Sequence, residues 1–469
     1  MEVRRTNFLR MKSTLRSPIA FAQKLQRTLG PARILVFSFA GAIAIATLLL
    51  MLPISHHKPV GFIDALFTIT SAICVTGLTV VDTGTTFTLF GQIVILVTIQ
   101  LGGLGVMTFS TFFVYLLGGK LSFGNRELLQ ETLSQAPMKN LKALLQTVFL
   151  ATFIIEALGA LLLALRWSRE MPLSEALYYG IFHSVSAFCN AGFALFPNNM
   201  ESFTGDFIIN FTLSTLIILG GLGFVVIFEL ARKRAQTPRR LSLHARLVLL
   251  ASGLLIFGGM ALLLLFEYRN AIKDLPWSAK LWGTYFQSVT ARTAGYNTIN
   301  LGALSDASLF LIIILMFIGA SPGSCGGGIK TTTFAIMLSF IKARFHNLSD
   351  ANLLGRRIPD ETASKAIAIS FFSLSLILFF TLLLVLVETQ FVSHQASRGI
   401  FLELLFEVTS AFGTVGLSVN LTPTLSEVSR LLITLVMFIG RLGPLTVAIA
   451  VGGEKKARFQ YAQENVLVG

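Results

Sequence analysis

Four short segments of this 469-residue chain end in a glycine at matched places, and their backbone oxygens could bind a cation. Extended chain that turns its carbonyl oxygens toward a common axis can replace the hydration shell of an ion. Glycine adopts the backbone angles that this requires without the cost that a Cβ atom imposes. The segments read Ser71-Ala-Ile-Cys-Val-Thr-Gly77, Ser186-Ala-Phe-Cys-Asn-Ala-Gly192, Thr290-Ala-Arg-Thr-Ala-Gly295 and Ser410-Ala-Phe-Gly-Thr-Val-Gly416.

The four segments are copies of one pattern. Their glycines are 115, 103 and 121 residues apart, and a Phe precedes each glycine by ten residues, or by nine in the shorter third copy. One such glycine would be read as a turn or a close helix contact, whereas four at equivalent places favour a shared site. The predicted ligands are the backbone carbonyls of Val75, Thr76, Gly77, Asn190, Ala191, Gly192, Thr293, Ala294, Gly295, Thr414, Val415 and Gly416.

Long apolar runs surround these segments and predict membrane-spanning helices. There are eight runs: Ile34–Leu52, Phe87–Leu117, Leu144–Leu165, Phe207–Leu230, Leu247–Phe266, Ser308–Ile341, Ile367–Val387 and Ser429–Val451. The second and sixth are long enough to need a tilt or a break. Within each pair lies a segment too short to span, which predicts a re-entrant pore helix: Gly61–Ala72, Ser174–Phe188, Ser278–Ala291 and Gly399–Ala411.

The order of these runs predicts an all-α integral membrane protein with four span–pore-helix–span repeats around a central pore. The carbonyl ends of four short helices would converge on one axis, where their partial negative charge favours a cation. The predicted divisions are a basic tail at 1–33, repeat 1 at 34–118, repeat 2 at 119–230, repeat 3 at 231–342 and repeat 4 with a C-terminal tail at 343–469.

Composition supports the membrane class. Apolar residues make up 54% of the chain, charged residues only 13%, and the mean hydropathy is +0.75. Soluble domains carry about 25% charged residues. The net charge of +14 does not indicate a nucleic-acid partner, because the basic residues lie in short stretches between apolar runs. The three cysteines lack metal-site spacing, and no G-x-S-x-G or H-E-x-x-H motif predicts an enzyme.

The basic residues also predict an orientation. The tails and the loops at 119–146, 231–246 and 342–366 carry 26 Lys and Arg residues, whereas the opposite side carries eight. Both termini are therefore predicted to be cytoplasmic, with the pore segments entering from outside. Acidic residues on the outer side would concentrate cations at the mouth: Asp82, Glu170, Glu201, Asp206, Glu267, Asp274, Asp306, Glu388 and Glu427.

Together with the four segments, three glycine motifs resemble the Trk/Ktr/HKT superfamily of potassium transporters. The motifs are Leu101-Gly-Gly-Leu-Gly105, Gly220-Gly-Leu-Gly223 and Gly440-Arg-Leu-Gly-Pro444. Eight spans make the chain most similar to the Ktr-type membrane pore subunit, over about residues 34 to 469. The resemblance implies potassium as the transported ion, since a glycine at the position of Gly77 goes with potassium selectivity in this superfamily.

The resemblance also implies partners and a location. Ktr-type pore subunits form homodimers in the bacterial inner membrane, bind a cytosolic ring of ATP/ADP-binding regulatory subunits, and are often stimulated by sodium. The apolar tail Val466–Gly469 is expected at the dimer interface. No cofactor is expected in this chain, and sodium is a second candidate ion. Two alternatives stay open, the potassium-binding subunit of a P-type ATPase complex and a sodium-selective relative.

A glycine-rich stretch interrupts the sixth span between Gly319 and Gly328. Such a break cannot continue a regular helix, and broken helices at membrane depth line cavities. The resemblance implies a gate here, with the residues Gly319, Pro322, Gly323, Gly326, Gly327, Gly328 and Arg441. A packed kink is the alternative for the stretch.

Three basic residues lie within predicted membrane segments. For Arg441 the alternative to a place at the gate is a pair with Glu156 or Glu229. Arg292 is expected behind the third pore segment, held by an acidic residue or by carbonyls. Lys330 is expected either to face the pore or to extend toward the membrane surface.

Overall fold

The structure is a computed structural model that describes residues 31–105, 141–235, 241–348, 350–390, 392–393, 395 and 397–452. Several predicted features fall outside these ranges. They are the basic tail before residue 31, the second span beyond 105, the loop from 119 to 140, and the C-terminal tail with Val466–Gly469.

Each of four units consists of an outer helix, a short pore helix and an inner helix. The outer helices are Pro31–Leu50, Leu141–Trp167, Leu243–Glu267 and Asp360–Thr389. The pore helices are Phe62–Ile73, Leu173–Phe188, Trp277–Thr290 and Ile400–Gly413. The inner helices are Leu89–Leu104, Phe207–Leu222 with Phe224–Ala235, Asp306–Phe317 with Thr331–Phe345, and Glu427–Leu442 with Pro444–Gly452.

Smaller elements connect these helices. They are the helix Thr83–Thr86, the 3-10 turns Pro53–Ser55, Glu201–Phe203, Leu301–Ala303 and Thr422–Thr424, and an antiparallel hairpin of Asn352–Leu353 and Arg356–Arg357. By length and apolar composition, four described helices can cross a membrane, and two bent pairs raise that number to six. Of the other two predicted spans, the second is described only as far as residue 105. The sixth is broken by a loop between Phe317 and Thr331.

Two inner helices bend sharply where the sequence indicated no break. The bend is 102° between Phe207–Leu222 and Phe224–Leu230, and 96° between Glu427–Leu442 and Pro444–Gly452. Glycines at positive φ make both bends, Gly223 at +91° and Gly443 at +86°. The sequence predicted a tilt or a break in the second and sixth spans because of their length, and it did not predict these two bends. The last glycine of the repeated Gly-x-Leu-Gly motif turns the chain away from the helix axis.

The first glycine of the same motif lets three of the four inner helices approach their pore helices. A Cβ atom on Gly102 would collide with the carbonyl oxygen of Ile73, the last residue of the first pore helix. Gly220 meets Phe188 and Gly440 meets Phe412 in the same way. The shared Phe of each pore helix is fully buried in the core: Phe67, Phe182, Phe286 and Phe406. These contacts fix where the pore helices end, and hence where the segments after them begin.

Candidate functional site: a ring of four backbone segments

All four segments have the same unusual backbone. The glycines Gly77, Gly192, Gly295 and Gly416 have φ between +68° and +93°. The residue two positions before each glycine is also left-handed: Val75 at +55°, Asn190 at +59°, Thr293 at +74° and Thr414 at +50°. Three of these carry β-branched side chains, which rarely adopt such angles and mark a functional constraint. Left-handed residues on both sides of an ordinary one turn successive peptide groups toward one side of the segment.

Backbone N–H groups of the segments point back to the pore helices. The residue before each glycine donates to the carbonyl of the shared Ser or Thr, at 2.7 Å for Thr76 to Ser71, 2.7 Å for Ala191 to Ser186, 2.9 Å for Ala294 to Thr290 and 2.8 Å for Val415 to Ser410. The hydroxyls of Ser71 and Ser410 accept from the glycine N–H groups at 3.0 and 3.1 Å. Within the described residues, no hydrogen bond uses the carbonyl oxygens of Thr76, Ala191, Ala294 or Val415. These oxygens are free for a ligand.

The segments close into one ring. A Cβ atom added to Gly77 would lie 2.5 Å from the carbonyl oxygen of Ala191 in the second segment. The same distance is 2.7 Å from Gly192 to Ala294 and 2.8 Å from Gly295 to Val415, and Gly416 meets the carbonyl of Thr76. Each glycine thus faces the free carbonyl of the next segment, in the order one, two, three, four. The structure brings together all twelve residues that the sequence indicated.

A cavity of about 340 Å³ opens against the ring and is lined by all four glycines. Two of the nine acidic residues expected at the outer mouth, Asp82 and Glu201, contribute to its wall. Glu201 accepts a hydrogen bond from the Asn297 amide at 2.8 Å, and partial burial raises the pKa of its carboxyl although that hydrogen bond lowers it.

Other acidic residues of the outer side serve in the structure as local anchors. Glu170 and Asp206 both pair with Arg166, at 2.7 and 2.6 Å. The Glu388 carboxylate accepts from the N–H and hydroxyl of Ser426. Glu267 does the same for Ser305.

The glycine-rich stretch of the sixth span forms a loop on the opposite side of the ring. Gly326 packs against the Thr293 side chain and Gly327 against that of Thr414, so closely that neither has space for a Cβ atom. Gly319 and Gly328 lie against each other where the loop begins and ends. The loop therefore lies directly beneath two of the four segments.

Hydrogen bonds attach this loop to the inner helix of the second repeat. The N–H groups of Ser321 and Cys325 donate to the carbonyls of Gly221 and Gly220, both at 3.1 Å. Phe224 donates in return to the Gly323 carbonyl at 3.0 Å. The carbonyl of Pro322 occupies the space beside Gly223. The bend at Gly223 thus forms the surface against which the loop packs.

Two cationic side chains bind consecutive carbonyls of the loop. The Lys330 ammonium donates to Gly326 at 2.7 Å and to Gly327 at 3.4 Å. The Arg441 guanidinium donates to the carbonyls of Cys325 and Gly102, and so connects the loop to the inner helix of the first repeat. Arg441 occupies the position of the second glycine in the equivalent motifs of repeats 1 and 2, Gly103 and Gly221.

The alternative partners of Arg441 are engaged elsewhere. Glu156 accepts from the Gln100 amide at 3.3 Å, and Glu229 accepts from Ser242. For Arg292, the expectation of an acidic or carbonyl partner was wrong. Its guanidinium is buried behind the third segment and donates to the Ser252 hydroxyl at 3.0 Å. Ser252 lies on the outer helix of the same repeat, and the Nε of Arg292 has no hydrogen-bond partner among the described residues.

Sequence reasoning missed two buried polar residues behind the ring. His183 accepts from the Leu195 N–H at 3.1 Å, and Glu407 accepts from the hydroxyls of Ser418 and Thr422. Both directly follow the shared Phe of their pore helix, and this alignment is the signal that could have revealed them.

Comparisons with known proteins agree with this geometry. Residues 21–457 match the family model TrkH, described as cation transport protein. The chain is 40% identical to Ktr system potassium uptake protein B of Bacillus subtilis (strain 168), covering 94% of this chain and 97% of that protein. It is 38% identical to the protein of the same description from Vibrio alginolyticus, covering 94% and 95%. The crystal structure of the potassium transporter TrkH from Vibrio parahaemolyticus superposes with a TM-score of 0.65 at 18% identity, over 88% of this chain and 84% of that one, and shares its fold.

Proposed function

The chain belongs to the TrkH family of cation transport proteins, and we propose that it is the pore-forming subunit of a Ktr-type potassium uptake system. One observation carries the proposal: four glycines and the free carbonyls of their neighbours close a single ring. A ring of carbonyl dipoles can replace the hydration shell of a dehydrated cation. Potassium is the ion we propose because two relatives over nearly the whole chain are described as potassium uptake proteins.

The proposed ion path runs from the acidic cavity through the ring to the loop beneath it. Asp82 and Glu201 would raise the local cation concentration at the cavity. The ion would then exchange water for the carbonyls of the twelve ring residues. Beyond the ring it would meet the loop at 319–328, which we propose is the gate. Lys330 and Arg441 support this role, because they bind loop carbonyls and place positive charge in the path.

We further propose that the chain works as a homodimer in the bacterial inner membrane, with both termini in the cytoplasm. The four repeats would follow the divisions 34–118, 119–230, 231–342 and 343–469. A cytosolic ring of ATP/ADP-binding subunits would move the loop, and sodium would stimulate uptake. Support comes from the strong Lys and Arg asymmetry between the two sides and from the similarity to Ktr proteins.

Rubidium uptake by proteoliposomes tests the proposed transport. We expect the purified protein to take up tracer rubidium, with external K⁺ competing far more strongly than Na⁺, because the ring replaces the hydration shell of the larger ion. Protein-free liposomes are the control. Equal competition by the two ions would contradict a potassium-selective pore, and a stronger effect of Na⁺ would identify a sodium transporter.

A further inference from the structure

The residue after the shared Phe occupies the same place behind each ring segment. This place, which we call the back position, is buried in all four repeats, with an exposed fraction of at most 1%. Its side chains differ in chemistry from repeat to repeat. They are Thr68, His183, Gln287 and Glu407.

In the fourth repeat the back position is bonded to the chain that leaves the ring. The Glu407 carboxylate accepts from the hydroxyl of Ser418 and, at 2.9 Å, from that of Thr422. Ser418 lies two residues after Gly416 and lines the outer cavity. Hydrogen bonds to a carboxylate are stronger than those between neutral groups. The side chain therefore fastens the exit of the fourth segment to its own pore helix.

His183 does the same for the second repeat. Its Nε2 accepts from the backbone N–H of Leu195, three residues after Gly192, at 3.1 Å. Since Nε2 is the acceptor, Nδ1 carries the proton and donates to the Tyr179 carbonyl at 2.8 Å. The neutral imidazole thus connects the pore helix to the chain that leaves the second segment. We call a side chain that makes this connection a strut.

The other two repeats lack such a strut among the described residues. The Thr68 hydroxyl donates to the Asp64 carbonyl of its own helix at 2.8 Å. The amide of Gln287 is buried without a hydrogen-bond partner. Because the ring runs in the order one, two, three, four, the strutted segments are two and four, which face each other across it.

We infer that Glu407 and His183 are positioning residues. They hold the chain where it leaves two opposite segments of the ring, and they thereby determine the discrimination of the ring between K⁺ and Na⁺. Carbonyl ligands discriminate between ions only while their number and direction are maintained. The ring glycines have no side chains that could prevent the ring from collapsing. The chain that follows the segments must therefore be held by residues behind the ring. The inference rests on the proposed function, since it concerns the selectivity of that same pore.

Alanine at position 407 tests the strut. We expect Glu407→Ala to lower the ratio of K⁺ to Na⁺ competition for rubidium uptake by about tenfold, the size expected for lost hydrogen bonds to a charged group. Glu407→Gln should restore most of the ratio, since the amide can accept from one hydroxyl and donate to the other. The matched control is Glu403→Gln, which removes a carboxylate one turn earlier on the same helix.

Two further variants separate positioning from general damage. The double variant Ser418→Ala/Thr422→Ala should reproduce the loss, and adding Glu407→Ala to it should cause no further loss, because the three residues form one unit. His183→Ala should have a smaller effect, since only one hydrogen bond, between neutral groups, joins its side chain to the chain after the second segment. If Glu407→Ala does not fold, the hydroxyl variants carry the test.

The outcomes distinguish this inference from the proposed function. A wild-type protein that does not discriminate between K⁺ and Na⁺ would overturn the proposed function. A selective wild-type protein with unchanged ratios in Glu407→Ala, or in the hydroxyl variants where that protein does not fold, would overturn only the inference. A loss in Glu403→Gln as large as in Glu407→Ala would also overturn it.

Discussion

The ring and the loop beneath it are both irregular, glycine-rich backbone at membrane depth, yet they are held in different ways. Each ring segment is anchored within its own repeat, by N–H groups that donate to a Ser or Thr only a few residues earlier. The loop belongs to the third repeat but is bonded to the second through Gly220 and Gly221, and to the fourth through Arg441.

This difference assigns the two regions different mechanical properties. Local anchors move with their segment, so a shift between repeats leaves the backbone shape of each single segment intact. The contacts of the loop span several repeats, so the same shift must break some of them. Irregular backbone at membrane depth is tolerated where it packs in protein or lines a cavity. The local anchors are therefore consistent with a lasting shape of each ring segment, and the contacts of the loop with several repeats are consistent with the displacement that the proposed gate requires.

The largest expected effect comes from a methyl group in the ring. We expect Gly416→Ala to lower rubidium uptake by at least about tenfold, because its Cβ atom would overlap the carbonyl of Thr76 in an overpacked site. Gly399→Ala is the matched control. Gly399 has the same φ of +89° and no atom within 4 Å of an added Cβ, so it isolates the backbone strain of ~1–2 kcal/mol. Equal losses in the two variants would show that the close approach in the ring has no role.

Repetition explains how much of this site could be predicted from sequence. The glycines, the Ser-Ala starts and the short helices recur four times, so each copy supports the interpretation of the others. The bends at Gly223 and Gly443 were missed because apolar composition continues through them. A short glycine motif in such a run is compatible with a straight span, and the structure adds the carbonyl of Pro322, which occupies the space beside Gly223.

Side-chain partners were the least predictable part. Arg441 and Arg292 are both isolated arginines in apolar runs. The sequence offered an acidic pair as the alternative for Arg441, and an acidic residue or carbonyls as the expected partner of Arg292. The structure gives Arg441 two backbone carbonyls from other repeats and Arg292 a serine hydroxyl from the outer helix of its own repeat. Pairings across 40 or more positions of the chain leave no periodic signal.

The next largest effect should come from releasing the loop. Deletion of residues 322–326 removes the bonds from Cys325 and Gly323 to the second repeat, and we expect rubidium uptake to rise on the order of tenfold. Arg441→Ala should raise it less, since it removes the cation but leaves the bonds to the second repeat. Arg441→Lys separates charge from bridging, because lysine keeps the charge but lacks the planar fork that reaches two carbonyls.

Arg430→Ala is the control for the loop variants, because it removes an arginine from the outer end of the same inner helix. Protein amount and monodispersity must match the wild type in each preparation. Uptake that stays low in the folded deletion variant would mean that the loop is only a packed kink. The ring would then be the part of the pore that limits rubidium uptake.

The smallest expected effect concerns the mouth and has a defined dependence on pH. Burial raises the pKa of Glu201, so its carboxyl takes up a proton at a higher pH than an exposed glutamate does. As external pH falls through that raised pKa, one negative charge leaves the cavity wall, and the KM for rubidium uptake should rise by less than about threefold in physiological salt. Glu201→Gln should have the higher KM already at neutral pH and should lose this pH step.

Glu427→Gln is the control for the pH step, since Glu427 is exposed on the outer side and does not line the cavity. Asp82 remains in the cavity wall in both variants, so some attraction for cations remains and the effect stays small. The ring and the loop lie beyond the mouth, and the K⁺ to Na⁺ ratio should therefore not change. If the pH dependence of KM is identical in wild type and Glu201→Gln, the negative potential of the outer cavity comes from Asp82 and the backbone dipoles. A changed K⁺ to Na⁺ ratio would mean that Glu201 acts on the ring through Asn297.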